Sequence, residues 1–273
     1  MKNVFVAGDE NVLEPMATTI YSLAMHVQPG EYAVTAVVTG DDAVVARARS
    51  LCDDVHRLTG LATSVMPVLP TFTSCRPVVT HITSPTFTRM EIDRYLPKDV
   101  QKVLYVDTDA IFTGSPDELF ELNLDNYFAA AVHDRWTATD VPVFNAGVMM
   151  LNLERWRAEN VTEQVLTHDL FSTKISDQTI LNIIFKDRWL EVNGVFNFVP
   201  GPAWKVDLPD FVRLYLHGRR DVRIMHFAGP NKPWLLRSNV NGYFIYKMYK
   251  NRNVDLAAQS TLLNLYTRWT EGA

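Results

Sequence analysis

Asp107 and Asp109 follow an apolar run in the stretch VLYVDTDAIF, residues 103–112. In a strand, side chains at positions i and i+2 point to the same face, so strand geometry would bring the two carboxylates together. Like charges this close raise each other's pKa and oppose burial unless a cation lies between them. A solvated strand end explains one aspartate better than two. The pair therefore favours a site for a divalent metal.

A second group of reactive residues lies near the carboxyl terminus, in HFAGPNKPW. Gly229 and Pro230 predict a sharp turn, which lets backbone amides and Lys232 approach an anion. A single histidine at the end of a strand is more often structural than a ligand. His226 is followed across this turn by Lys232, however, and that order favours a metal and a phosphate that share one ligand.

An acid and an amide adjoin at the start of a predicted helix, at Asp177 and Gln178 in KISDQTILNIIF. Ser176 or Asp177 can cap this helix, so capping alone explains the aspartate. Capping does not explain Gln178. At a helix start that faces a cleft, an amide beside a carboxylate suits hydrogen bonding to a polyhydroxylated ligand. The three groups together indicate a metal, a phosphate and a polar ligand.

Short apolar runs alternate with helical patterns along the chain, and this predicts an α/β fold that positions these residues. Asp41 is a predicted helix cap, and Pro67 places its strand at a sheet edge. The aspartate pair lies at the carboxyl end of a strand, where ligands bind in open α/β sheets. The predicted strands are 3–8, 32–39, 64–69, 103–106, 127–132, 144–153 and 222–227, and the predicted helices are 13–27, 44–58, 84–96, 115–120, 153–171, 177–185, 240–249 and 256–269.

Composition excludes several classes of protein. Hydrophobic residues make up 47% and charged residues 21% of the 273 residues, which is close to the average of soluble globular proteins. The formal net charge of -5 argues against binding nucleic acid over a broad basic face. Cys52 and Cys75 are too few for a disulfide framework, which fits a reducing cytoplasm.

The two ends of the chain carry no predicted secretory or membrane-spanning segment. The amino terminus reaches Asp9 and Glu10 early, so it lacks the apolar core of a signal peptide. No segment approaches the roughly 20 apolar residues of a spanning helix. The last stretch, TLLNLYTRWTEGA, is predicted to pack on the domain, with peripheral contact with a membrane as the alternative. We expect a cytoplasmic protein.

In their order along the chain, the motifs resemble glycosyltransferase family 8, the retaining nucleotide-sugar transferases. The resemblance runs from residue 7 to residue 234 and rests on AGDEN, TRM, DTD, FNAGVMMLNLERW, SDQTILN and HFAGPNKPW. It implies a single-domain GT-A fold, in which a Rossmann-like, nucleotide-binding mixed sheet carries flanking helices. That domain would cover residues 1–273, with 236–273 as a carboxyl-terminal helical extension.

The resemblance also implies roles for single residues. Asp107, Asp109 and His226 would be the protein ligands of the metal, and this set suits Mn2+, with Mg2+ as the alternative. Asp9 would accept a hydrogen bond from uracil, and Val12 stands where family members often carry an aromatic residue that stacks on the base. The other residues implied to bind the donor are Ala7, Asn11, Arg89, Thr108, Asp134, Asn145, Ala146, Asp177, Gln178, Gly229 and Lys232.

The implied reaction is transfer of a hexose, glucose or galactose, from UDP-glucose or UDP-galactose to an acceptor hydroxyl with retention at the anomeric carbon. Asp177, Gln178 and Lys232 would be the catalytic residues. We favour attack by the acceptor on the face that UDP leaves. A transient Asp177 nucleophile is the rival, because retaining glycosidases use a carboxylate in that way. The acceptor is a saccharide, a glycolipid, a protein or a small molecule, since no motif identifies it.

Two other classes of protein share part of this pattern. An apolar strand followed by Asp-x-Asp also resembles the aspartyl-nucleophile motif of haloacid dehalogenase-like phosphatases. That motif usually lies near the start of a chain, whereas here it begins at Asp107 and has Ile111 where Thr or Val is usual. A catalytically silent UDP-sugar-binding protein is the third interpretation, and it leaves Asp177, Gln178 and Lys232 unexplained.

Overall fold

The fold is built around a seven-stranded mixed sheet. The computed structural model of the chain describes residues 1–68, 84–135, 141–167, 176–200, 222–235 and 243–252. The strands are β1 (Lys2–Gly8), β2 (Tyr32–Thr39), β3 (Ala62–Val68), β4 (Lys102–Val106), β5 (Ala110–Phe112), β6 (Ala129–His133), β7 (Phe144–Asn152), β8 (Trp189–Glu191) and β9 (Ile224–His226). The large sheet has the order β3-β2-β1-β4-β7-β6-β8, and β5 pairs with β9 in a separate two-stranded sheet.

The direction of the strands determines which chain ends meet. β1, β2, β3 and β4 pair in parallel, whereas β7 runs antiparallel to both β4 and β6. The carboxyl ends of the first four strands therefore lie at the same edge as the amino end of β7. This edge receives residues from distant parts of the chain.

Helices cover both faces of the large sheet. In β1, Val4 and Val6 belong to one buried core and Phe5 belongs to another, because successive side chains of a strand point to opposite faces. The helices are α1 (Leu13–Ala24), α2 (Asp42–Thr59), α3 (Ile92–Tyr95), α4 (Asp117–Phe120), α5 (Leu153–Ala158), α6 (Val161–Thr167), α7 (Asp177–Ile184) and α8 (Tyr243–Lys250). Helices α1 and α2 pack in the first core, and α5, α6 and α7 pack in the second.

Local sequence signals set several of these boundaries as predicted. The side chain of Asp41 accepts a hydrogen bond from Val44 N at 2.9 Å and caps α2, and Gly60 ends this helix with a φ of +76°. Strand β3 lies at the edge of the sheet, which is the position that Pro67 predicts. The predicted α/β fold is therefore confirmed.

Two local predictions are wrong. The helix predicted over 153–171 is two helices within its described part, because Asn160 has a φ of +50° and α5 cannot continue through it. The helix predicted over 84–96 is a 3-10 helix, Ser84–Glu91, followed by the single turn of α3.

Several predicted features lie outside the described residues. They include Cys75, the helix at 256–269 and most of the carboxyl-terminal extension. Within that extension, α8 packs against α1. Among the described residues, no helix is long and apolar enough to cross a bilayer.

The contact between α8 and the end of α1 predicts a pH-dependent stability. His26 Nε2 lies 2.7 Å from the hydroxyl of Tyr249, and burial lowers the pKa of His26 to about 4 from its usual 6.5. As the pH falls below 6.5, the unfolded chain takes up this proton before the folded one does. The free energy of unfolding should therefore decrease between pH 6.5 and about 4, by roughly 1–2 kcal/mol near pH 5.

Urea unfolding of the wild type and of His26→Gln, at a pH of about 7.5 and of about 5, measures this contribution. The variant should lose less stability than the wild type does between the two pH values. An equal loss in both proteins would contradict the assignment to His26.

Candidate active site

Three strands bring their ends to one edge of the sheet. Gly8 ends β1, Asp107 follows β4, and the first residues of β7, 144–147, lie at the same edge. Asp107 N donates a hydrogen bond to Gly147 O at 2.8 Å, which continues the pairing of β4 with β7. The edge holds a cleft of about 370 Å³, a usual size for a small-molecule site.

Asp107 and Asp109 lie in a turn and not within a strand. β4 ends before them and β5 begins after them, so strand alternation does not bring the two carboxylates together, contrary to the prediction. The hydroxyl of Thr19 in α1 donates to Ala110 O at 2.7 Å and also lies 3.1 Å from Thr108 O. A buried helix therefore fixes the conformation of the turn.

His226 reaches the two aspartates through the two-stranded sheet. Ala110 and His226 are paired in register, and Phe227 N donates to Asp109 O at 2.8 Å. The imidazole is buried, with Nε2 at 3.2 Å from Asp109 Oδ1 and at 3.8 Å from Asp107 Oδ2. Backbone pairing thus brings together side chains that are far apart in sequence.

Gly147 leaves the space that the imidazole of His226 occupies. A Cβ at this position would lie 2.2 Å from Cε1 of His226, which is closer than real Cβ contacts come. Gly147 does not have a positive φ, so packing and not backbone conformation requires the glycine. Sequence reasoning named the neighbouring Asn145 and Ala146 and missed Gly147, although a glycine inside a strand often marks a close approach.

Asp107, Asp109 and His226 form a donor set that fits a divalent cation. One ligand atom from each residue lies within 4.8 Å of the others. Asp109 Oδ1 is buried and has no hydrogen-bond partner in the described part of the protein, although His226 Nε2 lies 3.2 Å away. A bound cation would satisfy this oxygen.

Burial and neighbouring charges set the pKa values of the two aspartates in opposite directions. Burial raises the pKa of Asp107 above its usual value although Arg89 opposes this, and the charge of Asp109 raises it further. Burial also acts to raise the pKa of Asp109, but His226 and Lys232 outweigh burial and hold that pKa below its usual range. A cation between the two carboxylates would supply the positive charge that Asp107 needs.

Arg89 connects the metal-binding candidates to Asp177. Its guanidinium is buried, with Nη2 at 2.9 Å from Asp107 Oδ1 and Nε at 2.8 Å from Asp177 Oδ2. Nη1 donates to Ala146 O at 2.7 Å, and the ring of Tyr105 packs against the guanidinium with its centroid at 4.6 Å. The Tyr105 hydroxyl donates to Asp107 Oδ1 at 2.5 Å. One arginine therefore holds two carboxylates and the backbone of β7.

Asp177 and Gln178 begin α7 beside this arginine. Ser176 is the cap, because its Oγ accepts a backbone hydrogen bond from the first turn at 3.2 Å. Capping therefore does not account for Asp177, which is 4% exposed. Gln178 Oε1 accepts from Ala146 N at 3.1 Å, and its Nε2 donates to Asp134 Oδ2 at 2.8 Å. The amide of Gln178 thus connects β7 to the residue that follows β6.

Lys232 and the turn before it complete the cleft. Lys232 Nζ forms an ion pair with Asp109 Oδ2 and donates to Phe227 O at 3.0 Å. Gly229 has a φ of +89°, a conformation that side chains rarely adopt, and makes the predicted turn. The cleft is lined by the predicted residues Ala7, Arg89, Asp107, Thr108, Asp109, Asn145, Ala146, Asp177, Gln178, His226, Gly229 and Lys232.

Three residues that were predicted to bind the donor do not line the cleft, namely Asp9, Asn11 and Asp134. Asp134 instead contacts Gln178. Asp9 caps a 3-10 helix, Glu10–Val12, and its carboxylate accepts a hydrogen bond from Asn11 N at 3.0 Å. Their contacts with a donor stay predictions. The lining residues that sequence reasoning did not name as binding residues are Gly8, Val12, Tyr105, Gly147, Ser176, Ala228 and Trp234, most of which carry no reactive group.

The chain has the GT-A class of glycosyltransferase fold. Its sheet is mixed, a turn with two carboxylates follows β4, and the cleft lies at the ends of the parallel strands. The sequence pattern of glycosyl transferase family 8 matches residues 3–237, and the chain belongs to this family. Enzymes of the family are generally retaining and use a nucleotide-sugar donor, an acceptor and a divalent metal.

The chain is also similar to individual proteins and solved structures. Glycosyltransferase GlyB of Streptococcus pneumoniae is 34% identical over 160 residues, which are 56% of this chain and 39% of GlyB, so the chain spans about two fifths of that relative. General stress protein A of Bacillus subtilis is 30% identical over 196 residues, 63% of this chain and 68% of that protein. The crystal structure of galactosyltransferase LgtC with donor and acceptor sugar analogues has a TM-score of 0.76 and 21% identity, and the match covers 94% of this chain and 99% of LgtC.

The close packing of His226 predicts the effect of a methyl group at position 147. Gly147→Ala should lower the free energy of unfolding by about 1–3 kcal/mol, because the methyl group displaces the imidazole. Urea unfolding followed by circular dichroism measures the change. Gly30→Ala is the matched control, since nothing lies within 4 Å of a Cβ there. Equal stabilities of the two variants would contradict the packing.

The buried ion pairs of Arg89 predict a larger effect. Arg89→Met should cost about 3–5 kcal/mol in unfolding free energy, because it leaves the carboxylates of Asp107 and Asp177 without their shared counter-charge. Arg57→Met removes an exposed ion pair with Asp54 and should cost less than about 1 kcal/mol. The same urea titration compares them. Similar losses would mean that Arg89 contributes no more than a surface arginine does.

Proposed function

We propose that this chain transfers a hexose from a UDP-sugar to an acceptor hydroxyl, with retention at the anomeric carbon and with Mn2+ as its metal. The observation that carries the proposal is the meeting of Asp107, Asp109 and His226 beside Lys232 in one cleft. A set of this kind suits a divalent cation and a diphosphate side by side. Membership of family 8 supports the same activity.

We assign the diphosphate to Lys232 and the turn at Gly229. Lys232 Nζ pairs with Asp109 and donates to Phe227 O, so its charge is already held beside the metal-binding candidates. The positive φ of Gly229 allows the backbone amides of the turn to face an anion. An ammonium group acts on phosphate as a point charge.

We assign the donor sugar to the side of the cleft that Asn145, Asp177 and Gln178 line. These polar side chains offer both donors and acceptors to hydroxyl groups. Arg89 pairs with Asp107 and with Asp177, so the metal side and the sugar side are joined through one rigid guanidinium. This connection supports the predicted role of Arg89 between phosphate and sugar.

The residues of the cleft support direct transfer on one face of the sugar. When bound, the metal would stabilise negative charge on the departing UDP. Lys232 contributes to the same stabilisation through its own charge. The bond from the anomeric carbon to the phosphate oxygen breaks while the bond to the acceptor oxygen forms, and the acceptor proton passes to the departing phosphate oxygen.

The contacts of Gln178 and Asp177 favour this route over a covalent intermediate. Gln178 uses both ends of its amide for hydrogen bonds to Ala146 and Asp134. Asp177 is 4% exposed and faces the guanidinium of Arg89. A carboxylate that is held in this way is a poor nucleophile, so Asp177 as nucleophile stays the rival proposal.

The contacts of Asp107 argue against the phosphatase interpretation. An aspartyl nucleophile must reach phosphorus with an oxygen that is free to attack. Asp107 Oδ1 accepts a hydrogen bond from Tyr105 and pairs with Arg89, so this oxygen is already engaged. A silent UDP-sugar-binding protein is the remaining alternative, and turnover distinguishes it from a transferase.

The test is metal-dependent hydrolysis of a donor in the absence of an acceptor. The pure protein is incubated with a panel of UDP-sugars in Mn2+, Mg2+ or EDTA, and release of UDP is measured. We expect slow hydrolysis of UDP-glucose or UDP-galactose in Mn2+, and a loss of roughly 100-fold or more in Asp109→Asn, because that change removes a ligand of the metal.

Asp125→Asn is the matched control, since Asp125 is exposed and takes no part in the cleft. It should retain the wild-type rate. UDP binding in Mn2+ without hydrolysis of any donor would favour the silent binding protein. Absence of both binding and hydrolysis would overturn the proposed donor.

The wider assignments follow the same proposal. We propose a cytoplasmic enzyme of one GT-A domain, with residues 236–273 as its helical extension. Peripheral contact of this extension with a membrane is the alternative to its packing on the domain. The acceptor is proposed as a saccharide, a glycolipid, a protein or a small molecule. Screening these acceptors with the donor that is hydrolysed would identify it through an increased rate of UDP release.

A further inference from the structure

A chain of hydrogen bonds leads from the backbone of β7 to the imidazole of His226. Gly147 N donates to Asn145 Oδ1 at 3.0 Å, and Asn197 Nδ2 donates to the same oxygen at 2.9 Å. Asn197 Oδ1 lies 2.9 Å from His226 Nδ1. Asn197 and His226 are 5% and 3% exposed, so water has little access to replace these partners.

The first hydrogen bond of this series determines which group donates in each of the others. A backbone N–H only donates, so the atom of Asn145 that faces Gly147 N is the amide oxygen. Because that oxygen only accepts, Asn197 presents its NH2 group to Asn145 and its own oxygen to His226. An amide oxygen also only accepts, and Nδ1 of His226 therefore carries a proton.

The protonated Nδ1 determines what the opposite side of the ring offers. In a neutral imidazole with a proton on Nδ1, the free lone pair is on Nε2. His226 Nε2 is the atom that faces Asp109 Oδ1 at 3.2 Å and Asp107 Oδ2 at 3.8 Å. A histidine that binds a metal usually donates its other N–H to a partner that fixes its tautomer and orientation.

We propose that Asn197 is a positioning residue, which fixes the tautomer and the ring orientation of His226 for metal binding. This inference rests on the proposed function, because it assumes that the site binds a divalent metal. The backbone holds Asn197 in place. His226 N donates to Phe198 O at 2.8 Å, and Phe198 N donates to Ile224 O at 2.9 Å, so the segment after Asn197 is paired with β9.

The first measurement is the affinity for Mn2+, obtained from the electron paramagnetic resonance signal of free Mn2+ in a titration of the full chain. Asn197→Ala should bind Mn2+ about 10–100-fold more weakly than the wild type. Asn193→Ala is the matched control, because Asn193 is exposed and its side chain accepts a hydrogen bond from Val195 N at 3.1 Å without contacting His226 in the described part of the chain. It should bind Mn2+ as the wild type does.

The second measurement reads the tautomer directly and does not depend on the folding of Asn197→Ala. Long-range proton–nitrogen spectra of protein labelled with 15N in histidine are recorded with the diamagnetic Mg2+ and UDP, and His226→Gln assigns the resonance. The wild type should show a slowly exchanging proton on Nδ1 of His226. A folded Asn197→Ala protein should lose the slow exchange of this proton. A wild-type proton on Nε2 alone would overturn the proposal.

The two measurements distinguish an incorrect role for Asn197 from an incorrect assignment of the metal site. Tight Mn2+ binding by the wild type with equal binding by Asn197→Ala would overturn the role of Asn197 and leave the proposed function intact. A wild type that does not bind Mn2+ would overturn both proposals. Weaker binding in Asn197→Ala together with the Nδ1 proton in the wild type would support the positioning role.

Discussion

Three carboxylates are concentrated at one edge of the sheet, and the structure around them depends on how their charge is compensated. Asp107, Asp109 and Asp177 converge there, and Asp177 is almost fully buried. Arg89 pairs with Asp107 and Asp177, and Lys232 pairs with Asp109. Since isolated charges are costly to bury, these residues cannot be placed independently of one another. A divalent cation beside His226 would complete the same balance.

The fold meets this constraint through backbone geometry. Parallel β1 and β4 and antiparallel β7 bring loop and strand residues to one edge, and the pairing of β5 with β9 brings His226 to the aspartate turn. Thr19 holds that turn through its hydroxyl group, and Gly147 gives the imidazole its space. The site is therefore supported by elements that contribute no charge to it. Asn197 belongs to the same support, because its side chain contacts Nδ1 of His226, whereas Nε2 is the ring nitrogen that faces the aspartates.

Prediction from sequence succeeded where a residue acts locally or belongs to a recognisable motif. Asp41 caps its helix, Pro67 lies in an edge strand, and Asp107 follows a strand as expected. It failed where a turn replaced regular structure, since Asp107 and Asp109 converge through a turn and not through strand alternation. Gly147 and Asn197 were missed because each acts through a contact with His226, and the side chain of neither residue carries a charge that indicates such a contact.

The sequence by itself determined the α/β order of elements, the membership of family 8 and most of the residues that line the cleft. Periodicity, caps and ordered motifs are properties of short segments, so they can be read without knowledge of what packs against them. Only the tertiary structure decided that Arg89 joins Asp107 to Asp177, that Ser176 and not Asp177 caps α7, and that a backbone N–H orients His226 through two asparagines. These features depend on distances between side chains that are remote in sequence, and such distances are set by the register of the strands and by the burial of charge.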